Sequence, residues 1–153
     1  MKTDNKNSEQ IPMPRGLRNH NPLNIRHNPA NKWLGMKPEQ TDPDFVQFYS
    51  HALGYRAAFR TFATYYEKYG LRTVKQVVGK WAPPSENATN HYISYVCKLV
   101  NISPDEYLRH PCIDRNLWKQ LVTAMTRMEC GPHIMEHYPE LIDAINEGFA
   151  MAF

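Results

Sequence analysis

The segment at residues 15–26 reads RGLRNHNPLNIR. It combines the amides of Asn19, Asn21 and Asn24 with a glycine and a proline, and its spacing fits neither a helix nor a strand. An Asn side chain offers one acceptor and two donors, so a cluster of them can hold neighbouring loops together or bind a polyhydroxylated ligand. A second stretch of this kind, residues 81–89, reads WAPPSENAT. We therefore expect functional residues in these two loops.

The remainder of the chain is dominated by helical spacing. Apolar residues between Ala58 and Tyr69 form a stripe with a 3.6-residue period, and Gly70 is placed to end that helix. Thr73 predicts the cap of a short helix that ends before the two prolines. Further helices are predicted from about residue 87, from Ser103, across 117–128 and from about residue 139.

Upstream of the helices, short apolar segments at residues 23–27 and 45–49 predict two strands. The predicted fold class is therefore mainly α (α+β), a helical domain with a small N-terminal β-hairpin. Residues 1–14 are polar and predict a flexible lead-in. Residues 15–153 are long enough to bury one core, and we predict a single domain there.

Composition excludes several function classes. No apolar run approaches the roughly 20 residues that span a bilayer, so no membrane span is expected. The polar N-terminus is unlike a secretory signal, which predicts a cytoplasmic location in the producing cell. The net charge of +3 is dispersed. No basic run marks a nucleic-acid partner, whereas an anionic polymer such as a cell wall suits the charge.

The three cysteines leave one question of ligation open. An odd number argues against a disulfide framework. His110 with Cys112, and Cys130 with His133, are residue types that could form a tetrahedral zinc site. The alternative is that the thiols are buried and the histidines lie at the surface. We assign no metal.

The Asn-rich stretch resembles the R-G-I-R-N-N-N-P-G-N-I-R signature of a phage and prophage family often called virion structural proteins. Three later segments match in order: Trp33-x-Gly35, the FVQF…GYRA residues of 45–57, and the WAPPSENATNHY residues of 81–92. Together these matches cover about residues 15–100. That family is similar to the lysozyme-like superfamily, in particular to glucosaminidase-type domains. The resemblance implies a lysozyme-like fold and a peptidoglycan substrate.

The chain departs from this pattern at one position that matters for catalysis. In glucosaminidase-type domains the catalytic Glu ends a helix that precedes the Asn-rich turn. Here Asp4 and Glu9 are the acidic residues upstream, in a segment that Pro12 and Pro14 interrupt. Leu23 also stands where the family usually has Gly, which predicts a differently shaped turn.

Glu86 is the predicted catalytic acid, because a glycosidic bond is cleaved by a carboxylic acid that protonates the leaving oxygen. Apolar neighbours at the double-proline corner could raise its pKa, although an acid in a first helical turn can equally serve the helix dipole. Glu39, Asp42 and Asp44 are candidates for a second carboxylate or for shaping the loop.

Eight residues are predicted to bind the sugar chain. Amides would hydrogen-bond acetamido groups and hydroxyls, and aromatic faces would meet sugar rings, although both could instead be structural. The predicted set is Asn19, Asn21, Asn24, Trp33, Gln47, Trp81, Asn87 and Tyr92.

The predicted function is cleavage of peptidoglycan glycan strands, by hydrolysis or by internal transglycosylation, without a cofactor. The partners would be those strands and other virion proteins, and the site of action the virion or the target-cell envelope. The alternative is a non-catalytic virion structural or peptidoglycan-binding protein of lysozyme-like fold, which the absence of an upstream catalytic helix favours. A toxin-like effector would use the same chemistry.

Overall fold

A computed structural model describes residues 12–84 and 88–153, and this part of the chain is mainly helical, as predicted. It contains seven helices: α1 (Arg15–Arg18), α2 (His51–Glu67), α3 (Val74–Trp81), α4 (Thr89–Val100), α5 (Arg115–Cys130), α6 (Ile134–His137) and α7 (Glu140–Ala152). None of the helices in these two ranges has the length and apolarity needed to cross a bilayer.

Helix α2 forms the centre of the core. Ser50 caps its start by accepting a hydrogen bond from the Leu53 amide at 3.2 Å. The predicted stripe is buried from Ala58 to Ala63, with Phe59 and Phe62 fully enclosed, whereas Tyr69 at its end is exposed and lies beyond the helix. Helix α7 packs along α2, where Gly148 allows a close approach, since an added Cβ would lie 2.7 Å from the Ala52 carbonyl oxygen.

Helices α3, α4 and α5 complete the layer beneath the loops. Thr73 begins α3 with a reciprocal capping box that includes Gln76, in agreement with the predicted cap. The ring of Phe62 lies between two indoles, 4.9 Å from the Trp81 centroid and 5.3 Å from the Trp118 centroid. Aromatic contacts at these distances fix how α3 and α5 sit on α2.

The segment between α1 and α2 is largely irregular. Arg26 pairs with Phe45, and Met36 with Phe48, as isolated antiparallel bridges. The first bridge connects the two segments predicted as strands and the second joins Met36 of the intervening loop to the later segment, with no continuous ladder among the described residues, so the hairpin itself stays a prediction. Leu23, which stands in place of a glycine, is buried, and the left-handed backbone of this turn falls on Asn24 with φ 56°.

The helix predicted from Ser103 is wrong. Residues 103–106 form a turn in which the Ser103 hydroxyl accepts a hydrogen bond from the Asp105 amide. Tyr107 then pairs with Thr73, and the Leu108 amide donates to the Arg72 carbonyl. These tertiary hydrogen bonds require extended backbone and so override the local capping pattern.

Buried apolar residues from Leu17 to Ala152 belong to one cluster. A single domain over 15–153 would need such a cluster, and the domain division stays a prediction. Most of the predicted lead-in lies outside the described residues, which begin at residue 12.

Candidate functional site

Asn21 is the hub of the Asn-rich turn. Its Oδ1 accepts a hydrogen bond from the Ile25 amide at 2.9 Å, and its Nδ2 donates to the carbonyls of Ile25 at 3.0 Å and Val46 at 2.8 Å. The side chain is fully buried. Asn21 therefore ties the turn to the facing segment, and its amide has no remaining donor for a ligand.

Asn19 and Gln47 hold the next loop in the same way. Asn19 Nδ2 donates to Asp42 Oδ2 at 2.9 Å, and Asn19 Oδ1 accepts from Gln47 Nε2 at 3.1 Å. Arg15 forms a two-pronged ion pair with Asp42, and this hydrogen-bonded pairing holds the pKa of Asp42 well below its ordinary value. Asp42 is therefore ionised and holds the loop in place through these hydrogen bonds, and it is not suited to donate a proton.

Two glycines of the matching segments allow close backbone approach. A Cβ at Gly16 would lie 3.0 Å from the Asn21 carbonyl oxygen and 3.3 Å from Cys130 Sγ. A Cβ at Gly54 would collide with the carbonyl oxygen of His20. The glycines therefore bring α1, the turn, α2 and the end of α5 into direct contact.

Glu129 lies in the last turn of α5, against the Asn-rich turn. Asn24 Nδ2 donates to its Oε1 at 2.9 Å, and the Tyr92 hydroxyl donates to its Oε2 at 2.9 Å. The nearby indole of Trp81 also favours the ionised carboxylate and lowers the pKa of Glu129. Burial raises the pKa of Glu129 above its ordinary value, and these hydrogen bonds offset part of that rise.

A cleft of about 340 Å³ opens over this carboxyl. The cleft is lined by residues of the turn, of the loop after it, and of α2, α3 and α5. They include Asn24, Arg26, Trp33, Lys80, Trp81 and Glu129. Of the described residues that line the cleft, Glu129 alone carries a carboxyl group. The geometry offers a buried carboxyl with a raised pKa beneath indole surfaces, which suits proton donation to a bound ligand.

No known protein-family profile matches the sequence. Protein P5 of Pseudoalteromonas phage PM2 is 34% identical over 141 residues, which is 91% of this chain and 82% of that protein. The chain belongs to the family of Protein P5. This membership confirms the predicted phage-related origin.

The structure brings several of the predicted ligand residues together. Asn24, Trp33 and Trp81 line that cleft, and Tyr92 touches Glu129. The buried amides Asn19 and Asn21, with Gln47, support the turn behind it. The predicted acid Glu86 and the predicted ligand Asn87 lie outside the described residues.

Sequence reasoning missed Glu129. The resemblance predicts a helix that ends in a Glu upstream of the Asn-rich turn, whereas the Glu that contacts this turn comes from the end of α5, downstream in the chain. The sequence does contain a signal for Glu129. This residue lies at the end of the predicted helix, directly before the buried Cys130 and the helix-ending Gly131.

The cysteines and histidines considered as zinc ligands contact other groups. Cys130 is buried, with Sγ 3.3 Å from the Pro22 carbonyl oxygen, and burial raises the pKa of its thiol to about 12. His110 Nε2 lies 2.6 Å from Glu67 Oε2, and Cys112 is exposed. Within ranges 12–84 and 88–153 there is no group of three or more side chains able to hold a metal ion.

Proposed function

We propose that this phage-related protein cleaves the β-1,4 linkage between amino sugars of peptidoglycan, with Glu129 as the general acid. The observation that carries the proposal is the position of the Glu129 carboxyl. It lies in a cleft with two indoles, accepts hydrogen bonds from Asn24 and Tyr92, and has a pKa raised by burial.

The first chemical step is proton transfer from Glu129 to the glycosidic oxygen as the bond to the anomeric carbon breaks. A carboxyl with a raised pKa keeps its proton at a pH where an exposed Glu has lost it. The two hydrogen-bond donors fix the orientation of the carboxyl, so that little reorganisation accompanies the transfer. Trp33 and Trp81 offer apolar faces to the sugar rings.

The second step is capture of the electron-poor anomeric carbon. Water as the nucleophile gives a reducing end, whereas a hydroxyl of the same sugar gives an anhydro end. In either case the Glu129 carboxylate left by the first step takes up the proton that the nucleophile loses, which regenerates the acid. Both products need one acid and a positioned nucleophile. The masses of the released fragments differ by one water and identify the nucleophile.

The proposal includes a lysozyme-like architecture with the N-terminal hairpin. Glucosaminidase-type domains, which the sequence resembles, pair an Asn-rich turn with a Glu at a helix end. Asn24 and Glu129 make such a pair here, with the helix following the turn in the chain instead of preceding it. The pairing of Asn24 with Glu129, in a different chain order, would explain why no catalytic helix precedes the Asn-rich turn.

The protein would act from a phage particle on the target-cell envelope, with glycan strands and other virion proteins as partners and no nucleic acid. This setting follows from the phage relative together with the proposed substrate. It requires that the protein be packaged, which immunoblotting of purified particles tests directly.

Sacculus digestion tests the function. Purified wild-type protein should release soluble muropeptides, and Glu129→Gln should lower the rate by about 10²-fold or more, the range for losing a general acid. Glu86→Gln is the matched control and should keep most activity. Circular dichroism should be the same for all three proteins.

Two results would contradict the assignment. Loss of activity in Glu86→Gln with retention in Glu129→Gln would transfer the acid role to Glu86. Co-sedimentation of wild-type protein with sacculi, without release of fragments, would leave a non-catalytic peptidoglycan-binding protein.

A further inference from the structure

The cleft above Glu129 is lined by more basic than acidic groups. Arg26, His27 and Lys80 line it, whereas Glu129 supplies the single carboxyl among the described lining residues. In the proposed reaction Glu129 carries its proton when substrate binds, so the acid contributes no negative charge at that moment. The charge of the described residues that line the cleft is therefore net positive.

Lys80 is held at the cleft by two tyrosines. It lies in the last turn of α3, and its Nζ is 4.4 Å from the Tyr69 ring centroid and 5.6 Å from that of Tyr65. Cation–π contacts at these distances restrain an ammonium group without occupying its hydrogen-bond donors. No carboxylate of residues 12–84 or 88–153 forms an ion pair with Lys80.

Arg26 provides the second cation from a different part of the fold. Its guanidinium carbon lies 5.0 Å from the Phe45 ring centroid, and Phe45 also lines the cleft. The positive charge of Arg26 acts on the Glu129 carboxyl. It lowers the pKa of Glu129 and so opposes the effect of burial. The cations at the cleft thus come from the Asn-rich turn and from α3.

We propose that Lys80, together with Arg26, binds carboxylates of the short peptides that the muramyl residues of the glycan strand carry. The cleft then selects an anionic amino-sugar polymer over a neutral one of the same backbone, such as chitin. This inference rests on the proposed function for its substrate, but binding alone tests it. Charge contacts near a protein surface weaken with salt, so the preference should shrink as ionic strength rises.

The experiment measures binding separately from cleavage. In a Glu129→Gln background, co-sedimentation is compared between native sacculi and sacculi whose carboxyls have been converted to amides. The background protein should bind native sacculi about tenfold more tightly than amidated sacculi. Lys80→Glu should remove most of that preference, because charge reversal replaces an attraction with a repulsion.

Lys75→Glu is the matched control. Lys75 is exposed on the same helix and does not line the cleft, so it makes the same change in net charge elsewhere. This variant should keep the preference for native sacculi. Equal losses in Lys80→Glu and Lys75→Glu would overturn the proposal in favour of a general charge effect, and so would equal binding of native and amidated sacculi by the background protein.

Activity assays separate failure of this inference from failure of the proposed function. Wild type that cleaves native and amidated glycan equally well would retain the function and overturn the charge selection. Wild type that cleaves neither, while the Glu129→Gln protein still prefers native sacculi, would retain the charge selection and overturn the catalysis.

Discussion

The hydroxyl of Tyr92 donates a hydrogen bond to Glu129 Oε2 at 2.9 Å and so joins α4 to the end of α5. This donor favours the ionised carboxylate and lowers the pKa that burial has raised. Tyr92→Phe removes the donor and should raise the pKa of Glu129 further. Since the proposed reaction needs the protonated acid, the alkaline limb of the rate profile should move to higher pH.

The measurement is muropeptide release against pH for wild type, Tyr92→Phe and Tyr95→Phe. Tyr95 lies on the same helix and lines a different groove, so its profile should match wild type. A limb for Tyr92→Phe that moves to lower pH, or stays in place while the rate falls uniformly, would contradict the role given to this hydrogen bond.

Glu129→Gln should stabilise the protein near neutral pH. The folded-state pKa of Glu129 lies above its unfolded value, so ionisation costs the folded state stability as pH rises through that range. Glutamine has no charge to bury, and Tyr92 can accept a hydrogen bond from its amide. The gain in free energy of unfolding should be present at pH 7 and absent at about pH 3, where the carboxyl is largely protonated in both the folded and the unfolded state.

Urea unfolding at the two pH values checks this gain. Glu147→Gln, at an exposed position of α7, is the control and should change stability little at either pH. A gain for Glu129→Gln of equal size at both pH values would mean that packing, and not ionisation, is responsible.

Gly54→Ala should destabilise the fold strongly. The new methyl group would collide with the His20 carbonyl oxygen, so either α2 or the Asn-rich turn must move. We expect a loss of about 2–3 kcal/mol in free energy of unfolding, as for other overpacked sites. Gly79→Ala on α3 meets no atom within 4 Å and should gain about 0.5–1 kcal/mol from helix propensity. Thermal or urea unfolding of both variants checks the contrast, and equal effects would refute it.

Asn21→Ala should cost about 3 kcal/mol, because it leaves the Ile25 amide and the carbonyls of Ile25 and Val46 without their buried partner. Asn28 is an exposed Asn whose Oδ1 accepts one bond, from the Ala30 amide. Asn28→Ala should cost less than about 1 kcal/mol. A ligand-binding role for Asn21 would instead give a variant of normal stability that binds sacculi poorly.

The longer helices could be predicted because each depends on local signals, whereas the four-residue helices α1 and α6 were not predicted. The stripe that includes Phe59 and Phe62, and the cap at Thr73, describe α2 and α3 correctly. At Ser103 an equally good local signal fails, because the Tyr107 backbone pairs with Thr73 far away in sequence. Local patterns thus predict elements well where no distant partner competes for the same backbone.

The site was only partly predictable for the same reason. Asn24 and Trp81 belong to unusual loops and could be identified as candidates from composition. Glu129 sits within an ordinary amphipathic helix, and its environment comes from residues remote in sequence. A raised pKa arises from burial, which no short motif encodes.

The hydrogen bond between Asn24 and Glu129 spans 105 residues. During translation the Asn-rich turn therefore leaves the ribosome long before its acidic partner exists, and a nascent chain can hold the other described lining residues of the cleft before Glu129 is added. Closing so long a loop is also entropically costly until α5 can dock. The carboxyl of the cleft is thus put in place only when synthesis of each copy is nearly finished.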